Sequence, residues 1–212
     1  IETSTSEKEE KKSMLSLLRN APSAFWTVGL VQFFCWAAFM YMWTYMTGAV
    51  SENVWDTTDP KSEAYQEAAN WVGILFAVQS IGSVLWAIVL PRLHKLKFIY
   101  ALSLIIGGIG FASVFFVHDK WLMFIPLLMV GCAWAAMLAL PFTILTNALQ
   151  KSNAMGTYLG LFNCTICLPQ IVAAIIGGLL LSFVGGSQPA MMVIAGALLI
   201  MGAISVRIIK NN

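Results

Sequence analysis

Few residues in this chain could do chemistry, and the clearest pair is Cys164 and Cys167. A Cys-x-x-Cys spacing suits a metal ion or a redox disulfide, but no second cysteine pair and no histidine lies near it in the sequence. Both cysteines, like Cys35 and Cys132, fall in long apolar runs. We therefore interpret them as small packing residues, and we expect no metal site and no cofactor.

The acidic residues argue against catalysis. Every Asp and Glu lies in the amino-terminal tail or in a polar segment between apolar runs. A membrane protease or hydrolase needs carboxylates, a metal cluster or an activated nucleophile at membrane depth. We therefore do not expect an enzyme, and the coupling carboxylates of an ion-driven pump would have to come from elsewhere.

The apolar runs do contain amide and large aromatic side chains, which suit a neutral polar ligand. Gln32, Trp36, Phe39 and Trp43 recur at steps of three and four, so they share one helix face. Indole rings can cover the apolar faces of a sugar while amides bond its hydroxyl groups. Trp and Tyr also anchor helices at membrane interfaces, and that alternative stays open for Trp43 and Tyr45.

A second polar face lies between residues 155 and 184, where small and polar residues recur at the same spacing. It includes the amides of Asn163 and Gln170, and Pro169 between them favours a kinked helix beside a cavity. Small residues also let helices pack closely, so hydrogen bonds between helices remain an equal alternative for both amides.

Two further apolar runs contribute polar groups of the same kind. Trp134 and Asn147 lie on either side of Pro141, and Asn70 begins the second run. The third and sixth runs contain no strong polar residue and are expected at the periphery. The residues predicted to contact a ligand in a cavity are Gln32, Trp36, Asn70, Trp134, Asn147, Asn163 and Gln170.

Helices that cross a membrane must position these residues. Of the 212 residues, 59% are hydrophobic and 10% are charged, and the mean hydropathy of +0.79 excludes an ordinary soluble domain. Because a spanning helix needs about 20 apolar residues, the charge-free runs predict an all-α polytopic membrane protein with six transmembrane helices. The predicted spans are about 25–48, 70–90, 98–117, 121–147, 155–184 and 189–207. Spans one and two are expected to face the cavity and span three to be peripheral, and spans four to six repeat this order. An inverted three-plus-three repeat would give the same order.

The charges between the spans predict an orientation. With both termini cytoplasmic, every Lys and Arg except Lys61 and Lys120 lies on the cytoplasmic side, as the positive-inside rule requires. The predicted membrane domain is 21–209, with a charged cytoplasmic linker at 1–20 and an acidic outer loop at 49–69 that holds a turn and a short surface helix. The sequence does not begin with methionine, so we expect a segment of a longer protein of the inner or plasma membrane.

Several motifs in these runs stand out together. They are Gln32-Phe33-Phe34-Cys35-Trp36, Ala68-Ala69-Asn70-Trp71-Val72-Gly73, Gly131-Cys132-Ala133-Trp134-Ala135, Leu140-Pro141-Phe142, Met155-Gly156-Thr157-Tyr158-Leu159-Gly160-Leu161-Phe162-Asn163 and Leu168-Pro169-Gln170-Ile171. With them, about residues 20–209 resemble the carboxyl-terminal six-helix half of a major facilitator superfamily transporter. Within that superfamily the resemblance is to the sucrose-transporter-like and glycoside-pentoside-hexuronide cation symporter groups.

The resemblance implies a twelve-helix protein in which substrate lies between two six-helix halves that rock to give alternating access. The implied partners are a neutral sugar, a coupling cation, the lipid bilayer and the amino-terminal half, with no nucleic acid. The loop at 90–97 keeps the basic residues of the superfamily's cytoplasmic signature but lacks its Asp. The acidic motif of sucrose carriers near the end of the first span is also missing.

We therefore expect half of a secondary active transporter that binds a neutral sugar or glycoside and moves it with cation symport. One alternative is a carrier of amphipathic substrates such as lipids or drugs, because 11 Met and 8 Trp residues would give a pliable apolar lining. The other is a non-transporting membrane scaffold that uses the acidic loop as its working surface. A scaffold would not need aromatic and amide groups that converge at mid-membrane.

Overall fold

The computed structural model describes residues 16–150 and 155–209. Within these ranges there is no strand, and six helices are long and apolar enough to cross a membrane. The prediction of an all-α polytopic membrane protein is therefore confirmed. The helices are α1 (Ser23–Trp55), α2 (Glu63–Val89), α3 (Leu96–Val114), α4 (Phe124–Leu149), α5 (Met155–Phe162), α6 (Cys164–Phe183) and α7 (Gln188–Ser205).

Helices α5 and α6 together form the fifth span, Met155–Phe183. The two helices are separated at Asn163, whereas Pro169 lies inside α6 and Pro141 lies inside α4. A proline removes one backbone hydrogen bond, and a membrane helix can accept that loss where neighbouring groups satisfy the freed carbonyl. The break in span five therefore lies at Asn163, before Pro169, where the sequence predicts a kink.

The connection between α1 and α2 is shorter than the acidic loop expected at 49–69. Helix α1 continues to Trp55 and ends where Asp56 adopts a left-handed backbone conformation, with φ of 48°. Helix α2 begins at Glu63. Ser62 caps its amino end, because the Ser62 hydroxyl accepts a hydrogen bond from the Tyr65 N–H. The short surface helix expected here is thus the first part of α2, and Glu52 belongs to the last turn of α1.

The helices pack in a pattern with internal symmetry. Helix α1 packs against α7, α6, α2 and α4, while α3 packs against α4 and α7. Exchanging spans one, two and three for spans four, five and six keeps the main pairings. The pairing of α1 with α7 becomes that of α4 with α3, the pairing of α2 with α4 becomes that of span five with α1, and α3 with α7 maps onto itself. This is the contact pattern of a three-plus-three repeat.

Glycine lets the helices approach closely along these pairings. A methyl group on Gly196 of α7 would lie 2.5 Å from the carbonyl oxygen of Gly108 in α3, and one on Gly108 would lie 2.9 Å from the Gly196 oxygen. Between α2 and α4, a methyl group on Gly82 would lie 2.7 Å from the Leu128 oxygen. These contacts leave no room for a side chain, so the backbones themselves form the contact surface.

The expectation that spans three and six are peripheral is wrong for this six-helix unit. In the most apolar stretches of spans one, three, four and six, 50 to 56% of residues are buried, against 22% in span two and 17% in span five. Spans three and six pack on each other through glycine and other small residues, and a pattern of small residues does not by itself distinguish a buried helix from a peripheral one. Spans two and five are the exposed pair.

The glycine contact between α3 and α7 gives a test of the fold. Replacing Gly196→Ala should lower the free energy of unfolding by about 1 to 3 kcal/mol, because the added methyl group overlaps the α3 backbone. The matched control is Gly73→Ala on α2, where an added methyl group meets nothing within 4 Å. Thermal unfolding of the purified protein in detergent, followed by tryptophan fluorescence, should show a lower midpoint for the first variant alone. Equal midpoints for both variants would contradict this packing.

Candidate functional site

Three tryptophans from two helices meet near the middle of the bundle. Trp36 and Trp43 of α1 lie with ring centroids 5.9 and 5.8 Å from that of Trp134 in α4, and both pairs are edge to face. Phe39 fills the space behind them, 4.9 Å from Trp134. We call Trp36, Trp43 and Trp134 the tryptophan cluster. Such aromatic pairs contribute about 0.5 to 1.5 kcal/mol beyond their buried area.

The cluster lies at mid-span because of where these residues fall in their helices. At 1.5 Å per residue, Trp36 is about 20 Å and Trp43 about 30 Å from the start of α1 at Ser23, and Trp134 is about 15 Å from the start of α4 at Phe124. Each of the three residues therefore lies about 15 Å or more from both ends of its helix. Tryptophans that anchor a helix at the membrane interface would lie nearer the ends of the helices.

The cluster is partly open, and one of its polar groups has no partner. Trp43 is 44% exposed and Trp134 is partly exposed, whereas Trp36 is 8% exposed. The indole N–H of Trp36 is buried and makes no hydrogen bond to the described residues. An unpaired N–H in an apolar interior costs about 1 to 3 kcal/mol, and an acceptor atom from a ligand or a water molecule would remove that cost.

Gln32 has a different environment from the one its sequence position suggested. Its side chain has no exposed surface, its Nε2 donates to the Met137 oxygen of α4 at 3.2 Å, and its Oε1 accepts from the Tyr100 hydroxyl of α3 at 3.2 Å. Gln32 therefore links three helices and does not reach an open surface in this structure. Tyr100 is not among the residues predicted from the sequence, because the third span is expected there to be peripheral.

The other predicted amides make no hydrogen bond to the tryptophan cluster among the described residues. Asn70, Asn147 and Asn163 are exposed and Gln170 is partly exposed. Asn147 lies about 20 Å along the α4 axis from Trp134 and accepts a 3.4 Å hydrogen bond from Gln150. Of the seven residues predicted for a cavity, the structure thus brings Trp36 and Trp134 into contact, and no hydrogen bond among the described residues joins the four other amides to them.

A shallow apolar groove lies beside α1, nearer its amino end. It has a volume of about 250 Å³ and is formed by the first turns of α1 and α6. Thr165 supplies its one side-chain hydroxyl. The lining residues are Phe25, Trp26, Gly29, Leu30, Phe33, Thr165, Leu168 and Pro169.

The two ends of the helix bundle carry charges of opposite sign. Among the described residues every Asp and Glu lies at the end that holds the α1–α2 and α3–α4 connections, which we call the acidic end. Glu52 there accepts a hydrogen bond from the Gln188 N–H at the start of α7. The opposite end, which we call the basic end, holds Arg19, Arg92, Lys95, Lys97 and Arg207. The tryptophan cluster between the two ends has no described charged side chain at its level.

Comparison with protein-family models gives no match for this chain, and comparison with curated protein sequences gives none either.

The hydrogen bonds of Gln32 predict an effect on stability. Replacing Gln32→Leu should lower the free energy of unfolding by about 0.6 to 2 kcal/mol, because the Tyr100 hydroxyl and the Met137 carbonyl lose their bonds to it. Asn70→Leu, which changes an exposed amide on α2, is the matched control and should leave stability nearly unchanged. Thermal unfolding in detergent measures both, and a Gln32 variant as stable as the control would show that these bonds do not hold the helices together.

Proposed function

We propose that this membrane protein is one six-helix half of a secondary active transporter, which binds a neutral sugar or glycoside and moves it by alternating access with cation symport. The observation that carries the proposal is the tryptophan cluster at mid-span, with two partly open indole rings and one buried N–H that lacks a partner. Trp43 and Trp134 offer surfaces for the C–H face of a sugar ring. Trp36 offers a donor for one of its oxygen atoms.

The absence of charge around the cluster favours a neutral substrate. An ionic ligand held at this depth would need an opposite charge nearby, since isolated charges in the bilayer are costly. The described residues supply none at this level. A coupling carboxylate would for the same reason belong to the other half of the transporter.

The low burial of spans two and five supports the presence of a second half. Both spans carry small or polar exposed residues, such as Gly73 and Ser80 on α2 and Gly160 and Ala174 on span five. A methyl group on Gly73 or Gly160 meets nothing within 4 Å, although small residues are those that usually face a close helix neighbour. The amino-terminal six-helix half would cover these two spans, with the substrate between the halves.

The proposal is tested by transport. Vesicles that carry the full-length protein should accumulate one member of a panel of radiolabelled sugars when a proton or sodium gradient is applied. Trp36→Phe keeps a ring but removes the N–H, and it should weaken substrate affinity about 10-fold, the loss expected for one hydrogen bond of about 1 to 1.5 kcal/mol. Trp121→Phe is the control, because Trp121 is exposed in the α3–α4 connection, away from the cluster. No uptake of any sugar would overturn the proposal.

A second candidate function is favoured by the apolar groove. A carrier of amphipathic molecules would hold the apolar part of its substrate between α1 and α6, where Thr165 supplies the one side-chain hydroxyl of the lining. The groove contains Trp26, which is 55% exposed and lies outside the tryptophan cluster.

Two matched substitutions on α1 separate the two functions. If the substrate is a sugar at the cluster, Trp43→Ala should reduce affinity about 5-fold, which is the loss of about 1 kcal/mol of ring stacking, and Trp26→Ala should not. If the substrate is amphipathic and lies in the groove, the effects should be reversed. Equilibrium binding of labelled sugars and of a fluorescent amphipathic probe measures both. Unchanged binding in both variants would remove both sites.

A further inference from the structure

The seam between α3 and α7 ends in a group of basic residues. Lys95 immediately precedes α3, Lys97 is the second residue of α3, and Arg207 lies in the turn that follows α7. The Lys97 ammonium group donates a hydrogen bond to the Ile209 carbonyl oxygen, which fixes the turn after α7 against the start of α3. Lys95 and Arg207, each two residues along the chain from one end of this contact, remain exposed.

No described acidic residue balances these charges. Within residues 16–150 and 155–209, every Asp and Glu lies at the acidic end, and a helix such as α3 with 19 residues separates the two ends by about 28 Å. Lys95 and Arg207 are thus exposed cations that flank the ends of two helices long and apolar enough to cross a membrane, which is where we expect lipid headgroups. At physiological salt, the distant carboxylates are screened from them.

The same seam exposes a continuous apolar surface along its length. On α3 the exposed apolar residues recur at steps of four and three, and the first of them lies one turn after Lys95. On α7 the exposed apolar residues continue into the turn that contains Arg207. The buried faces of α3 and α7 turn towards α4 and α1 respectively, so both exposed stripes lie on the other side of the seam. The residues are Phe98, Leu102, Ile105 and Ile109 on α3 and Ile200, Ile204 and Ile208 from α7 onwards.

We propose that the α3–α7 seam binds one anionic phospholipid of the leaflet at the basic end. Its phosphate group lies between Lys95 and Arg207, and its acyl chains lie along the two apolar stripes. Charge complementarity selects an anionic headgroup, because a zwitterionic lipid brings its own cation to a site that already has two. Phe98, which is 64% exposed one turn from Lys95, marks the boundary between headgroup and chain. This site does not depend on the transport function.

Thermal unfolding of the full chain, purified in detergent and titrated with lipid, tests the site. Phosphatidylglycerol should raise the midpoint of unfolding more than phosphatidylcholine of the same chain length. The double variant Lys95→Gln, Arg207→Gln should weaken the apparent affinity for phosphatidylglycerol about 5-fold for each charge removed. The control Lys61→Gln, Lys120→Gln removes the same charge from the acidic end and should keep the response, measured against its own midpoint without lipid.

Three outcomes would overturn the site. Equal midpoint shifts with phosphatidylglycerol and phosphatidylcholine would show that charge does not select the lipid. An equal loss of response in the control variant would show a general effect of protein charge. A shift of the same size with inorganic phosphate or a short-chain phosphatidylglycerol would show an anion site that makes no use of the apolar stripes. Native mass spectrometry should independently show one retained phosphatidylglycerol on the unmodified chain and a loss of that species in the Lys95, Arg207 variant.

Discussion

The need to satisfy every polar group inside a hydrocarbon layer governs this structure. Each crossing is a helix, because a helix bonds its own backbone N–H and C=O groups. Polar side chains at depth must then find partners across helices, as Gln32 does with Tyr100 and Met137. That one amide joins α1, α3 and α4 near the centre of the bundle. The Trp36 N–H is the buried side-chain group among the described residues that this rule leaves without a partner, and for that reason it marks the candidate site.

Close packing through glycine then determines which helices are neighbours. Where two backbones touch, as at Gly108 and Gly196, the helices hold each other without polar groups. The resulting pairings relate spans one to three with spans four to six, so α1 and α4 occupy equivalent positions. The tryptophan cluster is formed by these two equivalent helices.

The distribution of charge completes the arrangement. Carboxylates gather at one end and most cations at the other, and the layer between them is neutral at the level of the tryptophan cluster. This separation lets the ends interact with headgroups and solvent while the middle presents indole rings and apolar side chains. The middle of the bundle therefore offers ring stacking and single hydrogen bonds to a neighbouring molecule, whereas the ends offer charge.

The sequence by itself determined the fold class, because helices that cross a bilayer must be long and apolar, and the lengths of the charge-free runs reveal them directly. It also identified Trp36 and Trp134 as cavity candidates, since the position of a large aromatic residue within an apolar run can be read directly from the sequence. The tertiary structure alone decided the environment of each polar group. Gln32 and Asn70 carry similar amides, yet the first is buried between three helices and the second is exposed. Spans three and six were expected at the periphery because they pack through glycine and not through the amide residues that the sequence analysis followed. Which distant helices pack together depends on how closely their backbones can approach, and a local sequence pattern does not contain that information.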